Sequence, residues 1–288
     1  MSAPERLVLP AGTPATESSI VFVGTATVIL RHAGFTILTD PNFLHAGDHV
    51  HLGYGLTSER LTNPAIELED LPPLDLVVLS HLHEDHFDRL VAEKLDKALP
   101  ILTTPHAADG LAKLGFRAAR GVPRWEAVDV EKGEGLLRLT AMPARHGPPL
   151  VAGLLPDTMG SLLDFPGPAG RDLRVYITGD TLVYDDLREI PKRYPDIDLM
   201  LIHLGGTRVV GVLVTMDGRQ GVEALQIVMP GQAIPIHFDD YTVFKSPLSD
   251  FLREVERAGL SSRVRTLAQG ERYAFDLDAI RAARSEPR

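Results

Sequence analysis

One stretch of this chain admits few folds. Leu74–Ser80 (LDLVVLS) runs directly into Ser80–Asp88 (SHLHEDHFD). The first run is nearly all apolar and rich in branched residues, the pattern of a strand buried on both faces of a sheet. Such a strand demands packed layers on either side of it. The second run sets His81, His83, Asp85 and His86 within six residues at the strand's end. A helix is expected directly afterwards, over Arg89–Leu99, with Leu90, Val91, Leu95 and Leu99 at helical spacing. Residues i and i+2 at a strand end lie on one side, so His81 and His83 can converge on one point. The chain then turns, and Asp85 and His86 can face a second point a few ångströms away. Imidazole and carboxylate are natural ligands for zinc and similar divalent ions. The four residues read as half of a two-metal site.

The other half must come from distant strand ends, and three residues answer to that. His146 closes LRLTAMPARH before a Gly-Pro-Pro stop, Asp180 closes VYITGD, and His237 closes AIPIH. Each lies just past a β-type run, where a sheet presents side chains to a common edge.

Further strands are expected at Ile20–Gly24, Thr27–Arg31 and Phe35–Thr39, with a tight turn at His32–Gly34 between the last two. Others fall at Ile101–Thr103, Leu136–Met142, Arg174–Thr178, Leu199–His203 and Ala233–His237. Helices are expected near Arg219–Val228 and from Ser246, as N-cap with Pro247 at the first helical position, to Gly259. Two long segments, 41–73 and the apolar, glycine-rich 148–168, read as loops that roof the site. The first holds Phe43, His45, His49, His51 and Tyr54. Its histidines fit a mobile surface loop better than another metal site, because no buried strand fixes their geometry. Strand-rich stretches in both halves, interleaved with helices, suggest two sheets with helices outside them. No repeat or composition shift divides the chain. A single domain over 1–288 is expected, with 1–19 a poorly structured extension.

Composition narrows the chemistry. The 288 residues include no cysteine, which removes disulfides, thiolate metal ligands, iron–sulfur clusters and thiol nucleophiles together. The hydrophobic fraction of 44% and charged fraction of 24% suit a soluble globule with a sizeable core. A net charge of −10 argues against broad binding to nucleic acid or to an anionic membrane. The N-terminus lacks a signal-peptide pattern and no window has transmembrane length, so a cytoplasmic location is the expectation.

The set His81-x-His83-x-Asp85-His86, His146, Asp180 and His237 resembles the metal-binding signature of the metallo-β-lactamase superfamily. VFVGTATVILRHAGFTILTDP and TMDGRQGVEALQIVMPGQAIPIHF resemble that family's opening hairpins and the helix feeding its last ligand strand. The resemblance covers roughly Ile20 to Phe238. It implies an α+β fold, a four-layer α/β/β/α sandwich with the site at one edge of the packed sheets. By position it implies that His81, His83 and His146 hold one metal, that Asp85, His86 and His237 hold the other, and that Asp180 bridges them. FTILTDPNF, LPPLDLVVLSHLHEDHFD, ARHG and ITGDT bring the chain nearest the branch of ascorbate-6-phosphate lactonase and N-acylphosphatidylethanolamine phospholipase D-like hydrolases. That branch has Gly-His-Ala where this chain has Gly24-Thr25-Ala26.

The expected activity is hydrolysis of a small ester, lactone or phosphoester by a hydroxide shared between two divalent ions, with Asp85 and Asp180 as the catalytic carboxylates. Zinc is the first expectation, and imidazole and carboxylate would also accept Mn2+ or Fe2+. Asp40 and His203 are candidates to orient the ligands, and Tyr241 to donate to a substrate oxygen. Two other readings stand beside it: a phosphodiesterase acting on lipid or nucleotide phosphodiesters, and a metal-binding regulatory protein without turnover. A small-molecule substrate and no nucleic-acid partner complete the expectation.

Overall fold

The computed structural model describes residues 4–11, 17–53, 55–149, 153, 155–167, 170–209 and 211–285. Two seven-stranded sheets form its framework. Neighbouring strands of the first are, in order, Arg272–Ala274, Ser19–Gly24, Thr27–His32, Phe35–Thr39, Leu76–Val78, Ile101–Thr103 and Ala119–Gly121. Those of the second are Glu5–Leu9, Ala127–Lys132, Gly135–Pro143, Met159–Gly167, Gly170–Ile177, Leu199–His203 and Gln232–Ile236. In each sheet an antiparallel run gives way to a parallel one, and the second sheet also has a parallel pair at its opposite edge, Glu5–Leu9 with Ala127–Lys132. The change comes between Phe35–Thr39 and Leu76–Val78 in the first sheet, and between Gly170–Ile177 and Leu199–His203 in the second. Parallel strands end at one edge, and the motif residues follow those ends.

Alternation along the strands divides the core. Leu76 and Val78 face Ile37, Ile177, Leu201 and Ile236 in a cluster between the two sheets. Val77 and Leu79 face Val91, Leu111 and Phe116 under the helices Arg89–Lys94 and Pro105–Lys113. Met200 and Ile202 of the second sheet lie in a third cluster with Leu225, Phe251 and Val255, under Gly218–Val228 and Leu248–Arg257. Helices thus cover both outer faces, giving an α/β/β/α sandwich of the α+β class. This is why Leu74–Ser80 is apolar on consecutive positions: its strand is packed on both faces.

Several expected boundaries move for identifiable reasons. The helix after the motif ends at Lys94, because Leu95 is extended and Asp96 accepts from Ala98 N (2.9 Å) in a turn before Pro100. Ser246 does not cap its own helix, whose N-cap is Pro247. Its hydroxyl instead accepts from Gly218 N (3.0 Å), at the start of the other helix. The segment 41–73 is no open loop, since His49–His51 and Thr57–Glu59 form a hairpin; Tyr54 lies outside the described residues. Most of 148–168 is likewise structured: Met159–Gly167 is a central strand, while 150–152, 154 and 168 lie outside the described residues. Among the described residues no helix is long and apolar enough to cross a membrane.

The largest departure lies at the N-terminus. Of the expected extension 1–19, residues 1–3 and 12–16 lie outside the described residues, but Glu5–Leu9 is a strand paired in parallel with Ala127–Lys132. Leu7 and Leu9 are buried in the inter-sheet core while Val8 faces solvent. Burying two leucines is worth roughly 3–6 kcal/mol as an upper bound. Deleting residues 1–10 should therefore lower the melting temperature by roughly 5–10 °C in a thermal scan. A detached extension would leave it unchanged.

Candidate metal centre

Local hydrogen bonds fold the motif back on itself. Ser80 N donates to Asp40 Oδ1 (2.7 Å), fixing the end of the strand. His86 N and Phe87 N both donate to His83 O (3.0 and 2.8 Å), which closes a tight turn. Asp88 accepts from Val91 N (2.9 Å) as helix cap and also from Phe43 N and Leu44 N (3.2 Å for the latter). Across the edge, Gly179 turns the chain into Asp180 with φ +62°, and a Cβ there would collide with the Met159 carbonyl oxygen.

The expected ligands converge. His81, His83 and His146 place a donor atom each within 4.8 Å of one another, and so do Asp85, His86 and His237. Asp180 forms a third such group with His81 and His86, between the other two. His86 Nε2 lies 3.8 Å from Asp85 Oδ2 and 3.6 Å from Asp180 Oδ2. His237 Nε2 lies 3.5 Å from Asp85 Oδ2. His83 is half-buried, and the other six residues are buried.

Most rings are held by one nitrogen and leave the other facing the cluster. His146 Nδ1 donates to Val214 O (2.9 Å) and His237 Nδ1 to Leu204 O (3.1 Å). Ser80 Oγ lies 3.0 Å from His81 Nδ1 and 3.3 Å from His86 Nδ1. Thr215 Oγ1 donates to Asp180 Oδ2 (2.9 Å). Oxygen partners of this kind orient ligand imidazoles and carboxylates toward a metal.

Burial and mutual charge set the protonation. Burial pushes the Asp180 and Asp85 carboxyls up, but the imidazoles of His237 and His86 outweigh it, holding Asp180 well below the usual range and Asp85 at about 2. Asp40 is held at about 2, because hydrogen bonds with His203 and His86 overcome the same burial. Burial lowers His81 well below its ordinary value, His83 to about 4, and His146 and His203 as well. His86 and His237 go the other way, since Asp180 and its neighbour Asp85 overcome burial. Three ionised carboxylates against two charged rings leave the cluster net negative. Asp85 Oδ1, Asp180 Oδ1, His86 Nε2 and His237 Nε2 are buried with no hydrogen-bond partner. Orphaned anionic oxygens beside ring nitrogens that become lone-pair donors on losing their protons are what a divalent cation satisfies, so the residues fit the implied metals.

The remaining candidates separate. Asp40 and His203 lie behind the cluster, 3.3 Å apart, with Asp40 also 3.6 Å from His86 Nδ1. Tyr241 is buried beside it, but its hydroxyl donates to Asn42 Oδ1 (3.0 Å), a bond already made, rather than standing free for a substrate. His45 is 3.1 Å from Glu67, while His49 and His51 are exposed on the hairpin. They belong to a paired strand, not to an unpaired loop. Thr25, where the resembling branch has His, accepts from His237 N through its carbonyl and donates its own N–H to Asp240 (2.7 Å). Ser80, Thr215 and the carbonyls of Val214 and Leu204 were invisible to sequence reasoning, because backbone oxygens and isolated hydroxyls carry no spacing pattern.

With this geometry in view, the family profile described as a β-lactamase superfamily domain matches residues 35–238. A UPF0173 metal-dependent hydrolase of Archaeoglobus fulgidus is 27% identical over 217 residues, 70% of this chain and 82% of that protein. One from Opitutus terrae is 31% identical over 209 residues, 69% of this chain and 81% of that protein. Among solved structures, an isothiocyanate hydrolase from Delia radicum gut bacteria superposes with a TM-score of 0.75 at 19% identity, covering 89% of this chain and 99% of that one. At that identity the likeness is one of fold.

The backbone at Gly179 offers a direct check on the cluster's framing. Gly179→Ala meets both a positive φ and the Met159 carbonyl, whereas Gly133→Ala meets a positive φ of +57° with nothing within 4 Å. In urea unfolding Gly133→Ala should cost about 1 kcal/mol and Gly179→Ala at least about twice that. Equal losses would mean that Asp180 is not held by this turn.

Proposed function

This chain belongs to the β-lactamase superfamily as one of its metal-dependent hydrolases, and from that premise we propose that its clustered imidazoles and carboxylates hold two divalent ions, zinc foremost, to cleave a small ester, lactone or phosphoester. The observation that carries this reading is the pair of donor sets, His81/His83/His146 and Asp85/His86/His237, joined by Asp180 and containing buried polar atoms that no protein group satisfies. The range of bonds rests on the resemblance to the lactonase and phospholipase D-like branch.

Two ions held there would supply Lewis-acid polarisation of a carbonyl or phosphoryl oxygen and a water made nucleophilic near neutral pH. The chain's own residues do the rest. Asp180, held by Thr215 and by the Gly179 turn, would share its oxygens between the two donor sets. Asp85 sets the charge of the second set and stands 3.5 Å from His237. Asp40 and His203 keep the His86 ring facing forward. The Val214 and Leu204 carbonyls keep His146 and His237 in the tautomer that presents Nε2.

The test is a screen of lactones, esters and phosphodiesters on chelator-stripped and reloaded protein. Turnover should vanish on stripping and return on adding two equivalents of metal. His83→Ala and Asp180→Ala should each lower kcat/KM by at least about 100-fold. Retained turnover in Asp180→Ala would remove that residue from between the ions, and saturation at one equivalent would contradict the two-ion reading.

Metal binding should also depend on pH in a defined direction. His86 and His237 hold protons to above the ordinary imidazole range in the metal-free chain, and a cation must displace them. Affinity should fall as pH falls from neutral. Titration calorimetry in buffers of different ionisation enthalpy should count released protons; a count of zero at pH 7 would contradict the assignment.

A further inference from the structure

Beside His146 the molecule opens a cavity of about 500 Å3 whose lining includes Arg124, Arg145 and Thr158. Arg145 precedes His146 in the chain, so its position is tied to the metal centre. Its guanidinium carbon lies 4.3 Å from the centre of the Tyr184 ring, and its Nε is buried with no hydrogen-bond partner. Among the described residues no carboxylate comes within ion-pairing distance of it. Arg124, by contrast, is matched by Asp186 at 3.0 Å. Thr158 Oγ1 is a second buried polar atom of the lining without a partner. Thr104 and Pro105, the cap and first residue of the Pro105–Lys113 helix, bring the positive end of a helix dipole to the same cavity. Among the described residues Asp157 is the one carboxylate of the lining, and it is exposed. Val122, Met142, Ala144 and Met159 make the remaining wall largely apolar.

We propose that this cavity is the substrate pocket and that Arg145 selects a substrate carrying an anionic group, a carboxylate or a phosphate, on a short apolar body whose scissile bond lies at His146. The proposal rests on the hydrolase reading and narrows it. A stacked guanidinium without a carboxylate partner is a preorganised donor for an anion, because its plane is fixed by the aromatic ring and its donors are unspent. The apolar part of the lining, Val122, Met142, Ala144 and Met159, accommodates carbon rather than charge, which leaves the anionic group of the ligand to Arg145. A chain with a net charge of −10 repels anions at long range, which makes a local cation the means of admitting one. The reaction itself is balanced by water: the acyl–oxygen bond breaks, hydroxyl adds to the acyl carbon, and the proton goes to the leaving oxygen.

The experiment compares three esters on the metal-loaded full chain: neutral 4-nitrophenyl butyrate, the carboxylate-tailed mono-4-nitrophenyl glutarate, and the 4-nitrophenyl ester of 4-phosphonobutyric acid. The wild type should favour at least one anionic ester over the neutral one by about tenfold or more in kcat/KM, and which one identifies the anion. Arg145→Gln should bring that ratio close to one, and Arg145→Lys should keep part of it. An unchanged ratio in Arg145→Gln, with all esters slowed together, would reduce Arg145 to a structural residue and overturn the proposal; so would a wild type that favours the neutral ester. Should the wild type cleave none of the three, the ester option of the proposed function fails separately, and binding decides the pocket. Benzenesulfonate, an anion with little affinity for divalent metals, is titrated against the fluorescence of Trp125, the chain's single tryptophan and the sequence neighbour of Arg124. Saturable quenching weakened about tenfold in Arg145→Gln supports the pocket, and equal affinity or no quenching overturns it.

Discussion

Asp85 and Asp180 each bury a carboxylate oxygen without a hydrogen-bond partner, and His86 and His237 each bury a ring nitrogen in the same state. An unsatisfied buried polar atom costs about 1–3 kcal/mol, more when charged, and four of them meet in one place. Packing alone would not select such a cluster. The rest of the fold is arranged to hold it: the strands Leu76–Val78, Gly170–Ile177, Leu199–His203 and Gln232–Ile236 end close to it, and the inter-sheet core locks those ends. Oxygens behind the rings, from Ser80, Asp40, Val214 and Leu204, prevent the imidazoles from turning away.

The convergence of these seven side chains was legible because four of them fall within six residues and the other three close obvious β-type runs. Period and residue type were enough for His81 to His86, His146, Asp180 and His237. Long-range pairing was not legible. Glu5–Leu9 offers only Leu7 and Leu9 as alternation, and its parallel partner Ala127–Lys132 lies more than a hundred residues away in the chain. The His49–His51 hairpin carries exposed histidines on a very short strand, which reads as loop. Tyr241 looked available to a ligand, yet its hydroxyl is taken by Asn42, which also receives the buried Arg60 guanidinium. A tertiary contact between residues so far apart in sequence leaves no local pattern.

Charge is partitioned sharply. The chain as a whole is acidic, the carboxylates and rings of the centre are together net negative, and the cavity beside His146 carries Arg124, Arg145 and a helix N-terminus. A net-negative centre favours cations, and on the proposed reading Arg145 beside it would take an anion once those cations are in place. Arg145 and His146, neighbours in sequence, join the two fields.

Two ions bound as proposed would sit side by side and share Asp180. Electron paramagnetic resonance of the chain reconstituted with two equivalents of Mn2+ tests this most directly, since ions about 3.5–4 Å apart across a shared carboxylate couple magnetically. The account predicts the multiline spectrum of a coupled pair, lost in Asp180→Ala. The six-line spectrum of isolated Mn2+ in the wild type would contradict it.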